Sequence, residues 1–283
     1  MKNIEIIIAF LLVLAFVGCK DTESVKKTVE TSGDDGMLSL LSTSWSGTLS
    51  ADATVYLQHI GKRMSAEEYQ FNGYFYNGTV AQNCSNRIDV GSVKVGSKTL
   101  TKKNVASGCV NYELDITDRL SDQSSFFGSL VNVSVLGAAG TGFSTGNCDF
   151  YNTEKVTISS TLPIGSIPGF PTMELISKGS GYTVTWNPDA NNPSGEAVIL
   201  MRYSKKLTEQ IDSNLSLTSF TNHVIVPDNG SYTISTQDLS VFPVNAYIEL
   251  YVGRGNFKQW DLNGKIVDLI SISSDNQDFV LTP

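Results

Sequence analysis

Apolar and polar residues alternate along much of this 283-residue chain with the two-residue period of half-buried β-strands. The clearest case is Glu68 to Tyr76, where aromatic residues stand at nearly alternate positions. Runs of Gly, Asn, Ser and Lys separate such segments, and no long stretch has the 3.6-residue period of a helix. The predicted strands are 54–57, 68–76, 88–95, 110–116, 130–136, 155–160, 173–176, 182–186, 197–203, 223–226, 232–235, 247–252, 266–273 and 279–281. This pattern predicts an all-β fold of the sandwich or barrel type.

A proline- and glycine-rich stretch divides the strand pattern into two parts. Residues 162–171 hold three prolines and two glycines, and proline fixes φ and removes a hydrogen-bond donor. We therefore expect a semi-rigid linker between two β-sandwich domains in tandem, at residues 37–161 and 172–283. In the first domain, three apolar side chains around residues 88–100 are expected in the core: Val90, Val95 and Leu100.

The start of the chain has a different pattern. Twelve unbroken apolar residues run from Ile6 to Val17. As a helix they would span about 18 Å, well short of a hydrocarbon core of roughly 30 Å. Residues 1–18 are therefore predicted to be a signal peptide rather than a membrane span. Residues 19–36 are polar and lack aromatic side chains, which predicts a flexible tether with a reach of about 20–25 Å.

The four residues Phe16-Val17-Gly18-Cys19 resemble the lipobox of bacterial lipoproteins, with Phe16 in place of the usual aliphatic residue. The resemblance implies cleavage after Gly18 and a mature chain that begins with a lipidated Cys19, carrying acyl chains such as palmitate. Several acyl chains hold a protein stably in a bilayer. The lysine and acids after Cys19 resemble surface-export tags of Bacteroidota lipoproteins. The expected location is the bacterial envelope, at the outer membrane or cell surface.

The charge balance excludes one class of partner. The chain has 20 Lys and Arg against 28 Asp and Glu, a net charge of −8 and a pI of about 4.8. No basic stripe is present to attract a phosphate backbone, so nucleic acid is not expected as a partner.

Three cysteines remain after the lipid cysteine, namely Cys84, Cys109 and Cys148. An exported protein forms disulfides, so one pair and one orphan are expected, with all three pairings open. The spacings of these cysteines, with only two histidines in the chain, match no zinc pattern. Neither a metal site nor a cofactor is predicted.

The second domain resembles the fibronectin type III and immunoglobulin-like sandwich. Trp186 ends an alternating strand where that family has a buried tryptophan, and Val241, Pro243, Asn245 and Tyr247 align with its tyrosine corner. The resemblance covers residues 170–283 and implies structural roles for Trp186, Pro243 and Tyr247. In a tyrosine corner the hydroxyl bonds back to the upstream backbone.

Two sequence motifs contain residues that could support catalysis. Gly142 to Gly146 matches the G-x-S-x-G nucleophile elbow around Ser144, and His223 follows downstream. That elbow needs a strand before it and a helix after it, whereas glycines surround Ser144, so a loop is the simpler interpretation. Glu113 and Asp115 share a strand face, as a glycosidase pair requires. A solvated strand face explains them equally well.

Two binding motifs have similar alternatives. Tyr74, Tyr76 and Tyr112 fit a sugar-stacking platform, but strand aromatics usually pack in cores. The acidic loop of Asp189, Asn191, Asn192 and Glu196 offers oxygen ligands for calcium, but these residues are also ordinary turn formers. His59 and His223 are interpreted as structural.

These patterns together predict a lipid-anchored, non-enzymatic envelope protein with a binding, adhesion or scaffolding role. Its partners would be the bilayer, through Cys19, and a protein or glycan. The alternatives are a carbohydrate-binding accessory lipoprotein and a hydrolase that uses Ser144.

Overall fold

The computed structural model describes residues 28–29, 52–61, 67–77, 86–105, 109–119, 121–167, 170–215 and 217–283. Strands dominate these ranges, which confirms the all-β prediction. The strands are β1 (Thr28–Val29), β2 (Ala53–Ile60), β3 (Glu68–Phe75), β4 (Val93–Val95), β5 (Lys98–Thr99), β6 (Thr101–Val105), β7 (Cys109–Glu113), β8 (Ser129–Val135), β9 (Gly146–Asn152), β10 (Ile164–Ile167), β11 (Phe170–Ser177), β12 (Tyr182–Thr185), β13 (Glu196–Tyr203), β14 (Phe220–Pro227), β15 (Ser231–Ile234), β16 (Tyr247–Leu262) and β17 (Lys265–Thr282). The helices are α1 (Ile116–Arg119), a 3-10 turn (Ser124–Phe126), α2 (Lys205–Ile211) and α3 (Thr236–Ser240).

One long hairpin forms the middle of the largest sheet. That sheet has the strand order β1-β14-β13-β16-β17-β2-β3-β7-β6, with β11 also beside β17 and β10 beside β11. Strands β16 and β17 contain 16 and 18 residues, and the whole of β16 pairs with residues 265–280 of β17, which corresponds to about 50 Å. They meet at Asn263-Gly264, where φ is 53° and 85°. Positive φ at both positions is the geometry of a tight two-residue hairpin turn.

Two smaller sheets cover the same face of this large sheet, one at each end. The four-stranded sheet β5-β4-β8-β9 encloses the first hydrophobic core, and the pair β12-β15 lies over the second. The long hairpin contributes to both. Its residues in the first core are Trp260, Leu262, Val267 and Leu269, and in the second core Ile248, Leu250, Val252, Phe279 and Leu281.

The predicted tandem of two separate sandwiches is therefore not confirmed, because one sheet runs through both cores. The predicted linker 162–171 contains β10 and the start of β11. Strand β11 pairs in parallel with the end of β17, from Leu175–Val280 to Ser177–Thr282. This stretch is thus part of the sheet system rather than a bare connector. The predicted tether 19–36 also differs, since Thr28–Val29 pairs with Thr221 and Phe220.

Most predicted strands are present with shifted ends. Val90, Val95 and Leu100 are buried, as expected. Segments 266–273 and 279–281 belong to one continuous strand, β17, and segment 88–95 is a strand only at Val93–Val95.

Residues 153–160, predicted in part as a strand, instead form an irregular connector between the two cores. Its backbone forms one β-bridge, between Ile158 and Trp186, and side chains of β17 bind several of its other amides. The amides of Thr153, Val156 and Ile158 donate to Ser271 Oγ (3.0 Å), Ser273 Oγ (2.8 Å) and Asp275 Oδ2 (2.8 Å). Further along, Gln277 Nε2 donates to the Ser160 carbonyl. These four β17 residues alternate along the strand and so face the same side. We call this set of bonds the connector clasp.

A buried arginine lies beside the clasp. Arg254 is fully buried on β16, with Nε 3.3 Å from Asp228 Oδ2 and Nη1 4.0 Å from Asp189 Oδ2. Its Nη2 donates to the Asn187 carbonyl. Burial lowers the pKa of Arg254, and the two aspartates oppose that effect. The guanidinium therefore neutralises two carboxylate side chains that are each only 1% exposed to water.

Replacing the buried arginine should be costly. The substitution Arg254→Met leaves Asp189 and Asp228 buried without a counter-charge, so we expect a loss of about 3–5 kcal/mol in the free energy of unfolding. Urea titration of the purified protein measures this loss.

The matched control is Arg119→Met. Arg119 Nη2 lies 2.7 Å from Glu68 Oε1, but both side chains are about a quarter exposed, at 29% and 24%. Partly exposed pairs contribute about 0–1 kcal/mol. Equal losses in the two variants would contradict a special role for Arg254.

Candidate functional site

A cleft of about 310 Å³ lies where the connector crosses between the two cores. Its walls are Gly61, Glu67, connector residues 156–161 and β17 residues 275–277. Gly61 is needed for this close approach, because an added Cβ would lie 2.6 Å from Asp275 Oδ1. The fold thus brings the end of β2, the start of β3, an interior part of β17 and the connector to one place.

Hydroxyl, amide and carboxylate groups line this cleft, which we call the junction cleft. The wall hydroxyls come from Thr157, Ser159, Ser160 and Thr161. Backbone bonds hold Asp275 in place, since its Oδ2 accepts from Ile158 N and its Oδ1 from Asn276 N (2.9 Å). Ser160 Oγ accepts from the Tyr182 hydroxyl at 2.8 Å. The cleft therefore presents fixed hydrogen-bonding groups to a ligand.

Glu67 connects the cleft to a charged cluster. Its Oε2 accepts from the Tyr69 hydroxyl (2.6 Å) and from Lys155 Nζ (2.9 Å). Burial raises the pKa of Glu67, but these two bonds outweigh burial and hold the pKa below its ordinary value. Burial, together with Glu67, raises the pKa of Tyr69. At neutral pH the pair is a carboxylate and a neutral phenol, so Glu67 is no proton donor.

Behind this cluster, His59 is buried against aromatic rings. Its ring centroid lies 5.3 Å from that of Tyr69 and 5.7 Å from that of Phe127. Its Nδ1 lies 3.0 Å from Ser273 Oγ, and its Nε2 lies 3.7 Å from Glu67 Oε2. Burial lowers the pKa of His59 to about 4, although the charge of Glu67 opposes this shift. The imidazole is neutral at pH 7.

Ser273, His59 and Glu67 contact one another in the sequence serine–histidine–acid, as in a catalytic triad. The serine, however, is not accessible to a substrate. Ser273 is fully buried, and its Oγ already accepts from Val156 N. A nucleophile must reach its substrate. The three residues therefore serve as a structural link between the connector clasp and the cleft.

The predicted nucleophile Ser144 lies elsewhere, in the loop that joins β8 to β9. A strand, not a helix, follows it, and its Oγ accepts a bond from Asn263 Nδ2 at the hairpin turn. The loop interpretation is confirmed. The nucleophile-elbow geometry is absent at this position.

Glu113 and Asp115, the predicted acid pair, bind different partners. Glu113 ends β7 and accepts from Asn111 Nδ2 at 3.3 Å. Asp115 lies beyond the strand, where its Oδ1 accepts from Thr117 N at the start of α1. The two carboxylates do not share a strand face.

The three tyrosines do not form an open platform. Tyr76 and Tyr112 are buried, at 5% and 1% exposure. The Tyr112 hydroxyl donates to Asp89 Oδ1 at 2.7 Å. The Arg87 guanidinium lies 4.4 Å above the ring of Tyr74. Their packing is that of core and cross-strand aromatics.

In the acidic loop, the carboxylate of Asp189 is already occupied by hydrogen-bond donors of the protein. Asp189 is buried and accepts from the Tyr151 hydroxyl (2.8 Å), Asn191 N (3.0 Å) and Glu154 N (2.9 Å). In the ranges that the structure describes, no group of three or more His, Cys, Asp or Glu side chains is placed to hold a metal ion.

The immunoglobulin-like features are only partly present. Trp186 is buried at 3% exposure, and its Nε1 donates to Asp228 Oδ1 at 2.8 Å. The Tyr247 hydroxyl, however, donates to Asp278 Oδ2 at 3.0 Å across the long hairpin. It does not bond to the upstream backbone, so the predicted tyrosine corner is wrong. Pro243 accepts from Ala246 N in a turn.

The state of the described cysteines reduces the number of possible disulfide pairings. Cys109 is disulfide-bonded, and Cys148 is a free, half-buried thiol. The two pairings that include Cys148 are therefore not formed. Cys84 lies outside the described residues, as do Gly18 and Cys19.

Comparison with known proteins identifies no relative: no family model, curated protein or solved structure matches the chain. Among the helices of the described ranges, none is long and apolar enough to cross a membrane.

The buried His59 should give the protein a pH-dependent stability. An unfolded histidine has a pKa near 6.5, so between pH 4 and 6.5 the unfolded chain binds more protons than the native one. Stability therefore rises with pH across this window. Between pH 5 and pH 7 the gain should be about 2 kcal/mol.

Urea unfolding at pH 5, 6 and 7 measures this gain in the wild type, in His59→Gln and in the control His223→Gln. The gain should disappear in His59→Gln and persist in the control. A gain that is unchanged in His59→Gln would refute the assignment to His59.

Proposed function

We propose that this chain is a lipid-anchored protein of the bacterial envelope, at the outer membrane or cell surface, with a non-enzymatic binding, adhesion or scaffolding role. The location rests on one observation, the apolar run Ile6–Val17 followed directly by Gly18 and Cys19. An acylated Cys19 would keep the β-structured part of the chain at a bilayer.

The junction cleft supports a binding role. It lies where two cores meet and is lined by groups whose positions are fixed by bonds to the sheet. Ligand sites occur preferentially at such junctions. Hydroxyls, amides and two carboxylates suit a polar ligand that both donates and accepts hydrogen bonds, such as a sugar chain or an extended peptide.

The surroundings of the candidate catalytic residues favour this role over hydrolysis. Ser144 is hydrogen-bonded in a hairpin loop, and Ser273 is buried under the connector. Glu113 and Asp115 are engaged with different partners. The carbohydrate alternative based on Tyr74, Tyr76 and Tyr112 is also disfavoured, because two of these rings are buried.

The experiment has two arms. In the first, the full-length gene is expressed in a diderm bacterium, and the N-terminal peptide of the membrane fraction is analysed by mass spectrometry. We expect the wild type to begin at an acylated Cys19 and Cys19→Ser to lose the membrane association. A wild-type product that retains Met1, or that carries an unmodified sulfur at position 19, would contradict the proposed location.

In the second arm, the purified protein is applied to glycan and peptide arrays. Thr161→Trp places a large ring in the cleft, and Thr172→Trp places the same ring at an exposed position of β11, outside the cleft. We expect binding to be lost only in Thr161→Trp. Equal binding by both variants would show that the ligand binds outside the junction cleft.

A further inference from the structure

Two strands lie along one edge of β17, with a gap between them. The last pair between β2 and β17 is Ile60 with Ser274, and the first pair between β11 and β17 is Leu175 with Val280. Because β16 occupies the other edge of β17 over this whole region, β2 and β11 must share the same edge. In the described ranges, no strand pairs with residues 275–279 on that edge. We call this gap the sheet slot.

The backbone of β17 points hydrogen-bonding groups into the sheet slot. At one end the Ser274 carbonyl accepts from Gly61 N at 2.7 Å, and beyond the other end the Thr282 carbonyl accepts from the amide that follows β11 at 2.9 Å. The pairing of β17 with β16 runs between these points without a shift in register. Successive residues of a strand direct their N–H and C=O groups to alternate edges. The backbone groups of Asn276 and Asp278 therefore point into the slot.

Three of these four backbone groups have no hydrogen-bond partner among the described residues. The Asn276 N–H donates to Asp275 Oδ1 at 2.9 Å. No described residue bonds to the Asn276 carbonyl, or to the N–H and carbonyl of Asp278. Free donors and acceptors along a strand edge are a template for a further strand. Here that template lies inside the sheet, between the ends of β2 and β11.

The junction cleft opens onto the sheet slot. Asp275, Asn276 and Gln277 border both, and Gly61 at the end of β2 is a further wall of the cleft. The connector covers the inner side, where the Ser160 carbonyl accepts from Gln277 Nε2. An extended chain that enters the cleft along β17 would thus lie between the connector and the open strand edge.

The walls of the cleft favour a peptide over a sugar chain. Sugar rings pack their apolar faces on aromatic side chains, and none of the described wall residues is aromatic. Strand addition instead obtains its affinity from main-chain hydrogen bonds and its specificity from the alternate side chains of the peptide. The open groups of Asn276 and Asp278 supply an acceptor, a donor and a second acceptor in that order along one edge.

The charge of the walls indicates which peptides fit. Glu67 and Asp275 are acidic, and no described wall residue is basic. Lys155, beside the cleft, pairs with Glu67 at 2.9 Å and offsets one of the two charges. Complementary charge selects among partners, so a basic side chain in the peptide is favoured.

We propose that the junction cleft binds an extended, basic peptide segment, which adds to β17 as a short strand in the sheet slot. Its main chain bonds to the Asn276 carbonyl and to both backbone groups of Asp278. The distance from Ser274 to Val280 is about 20 Å, which leaves room for about four paired residues. This inference rests on the proposed binding role and names the class of ligand.

Amide hydrogen exchange, followed by NMR on the purified protein, tests the slot without a ligand. The N–H groups of Gln277 and Phe279 point to β16 and should exchange slowly, whereas that of Asp278 should exchange fast. Equal protection of the three amides would show that the slot is already filled, and would overturn the proposal.

Binding is tested with an array of capped ten-residue peptides, random in sequence apart from a central Lys, Arg or Glu, beside a glycan array. We expect the peptides with a central Lys or Arg to bind, to lose binding in Thr161→Trp and to slow the exchange of the Asp278 amide. N-methylation of a bound peptide should weaken binding about 10- to 100-fold at alternate residues, where the amide faces β17, and little at the residues between them.

Asp278→Pro tests the same contact from the protein side. Proline removes the N–H at this position and places its ring in the slot, so peptide binding should be lost. Asp278→Asn keeps the backbone group and should retain binding. If Asp278→Pro does not fold, the alternate effect of N-methylation still decides the question.

The outcomes separate this inference from the proposed function. Peptide binding that is insensitive to N-methylation, or binding of glycans alone, would overturn strand addition while the binding role stands. Binding to neither array would overturn both.

Discussion

The connector between the two cores is held to β17 by side chains, and only around Ile158 does its backbone also pair with the chain at Thr185–Asn187. Its amides at Thr153, Val156 and Ile158 would be unsatisfied beneath the surface, and an unpaired buried amide is costly. Ser271, Ser273 and Asp275 provide the acceptors, two residues apart on one strand. The connector, which follows β9 of the first covering sheet, is therefore held at a defined height above the large sheet.

The junction cleft follows from the same arrangement. One wall is the clasped connector, and the opposite wall is β17 itself. Asp275 belongs to both, because its carboxylate holds Ile158 and also borders the cleft. Ser273 links the clasp to His59, which packs on Tyr69, and Tyr69 bonds to Glu67. The polar groups of the cleft are thus fixed by a continuous set of contacts, a property that suits recognition of a specific ligand.

The sequence predicted the strands well because most of them bury one face, and the two-residue period shows this directly. It did not predict the length of the β16–β17 hairpin. The inward positions of that hairpin change from Val252 to Arg254 and from Leu269 to Ser271, which interrupts the apolar alternation where the hairpin passes between the cores. The polar residues there serve Arg254 and the clasp. The short strand Thr28–Val29 lies in a segment whose composition gave no β signal.

The junction cleft could not be predicted from short sequence motifs, because its residues are far apart along the chain. Glu67 and Lys155 lie 88 positions apart, and only the fold brings them to 2.9 Å. Ser144 is the converse case. Its sequence matches the nucleophile-elbow motif, but its backbone forms the loop between β8 and β9. Tyr247 was correctly located at the start of a strand, but its hydroxyl partner, Asp278, lies across a hairpin whose register the sequence did not reveal.

The most direct test of this account is whether the two cores unfold as one unit. Trp260 reports the first core and Trp186 the second. In a Trp45→Phe background, Trp186→Phe and Trp260→Phe each leave a single reporter, and its emission is followed in urea beside the circular dichroism of the same variant. The shared hairpin and the connector clasp predict one coincident transition in both variants. A reporter whose midpoint departs from the circular dichroism midpoint would show that the cores are independent, and would contradict the account.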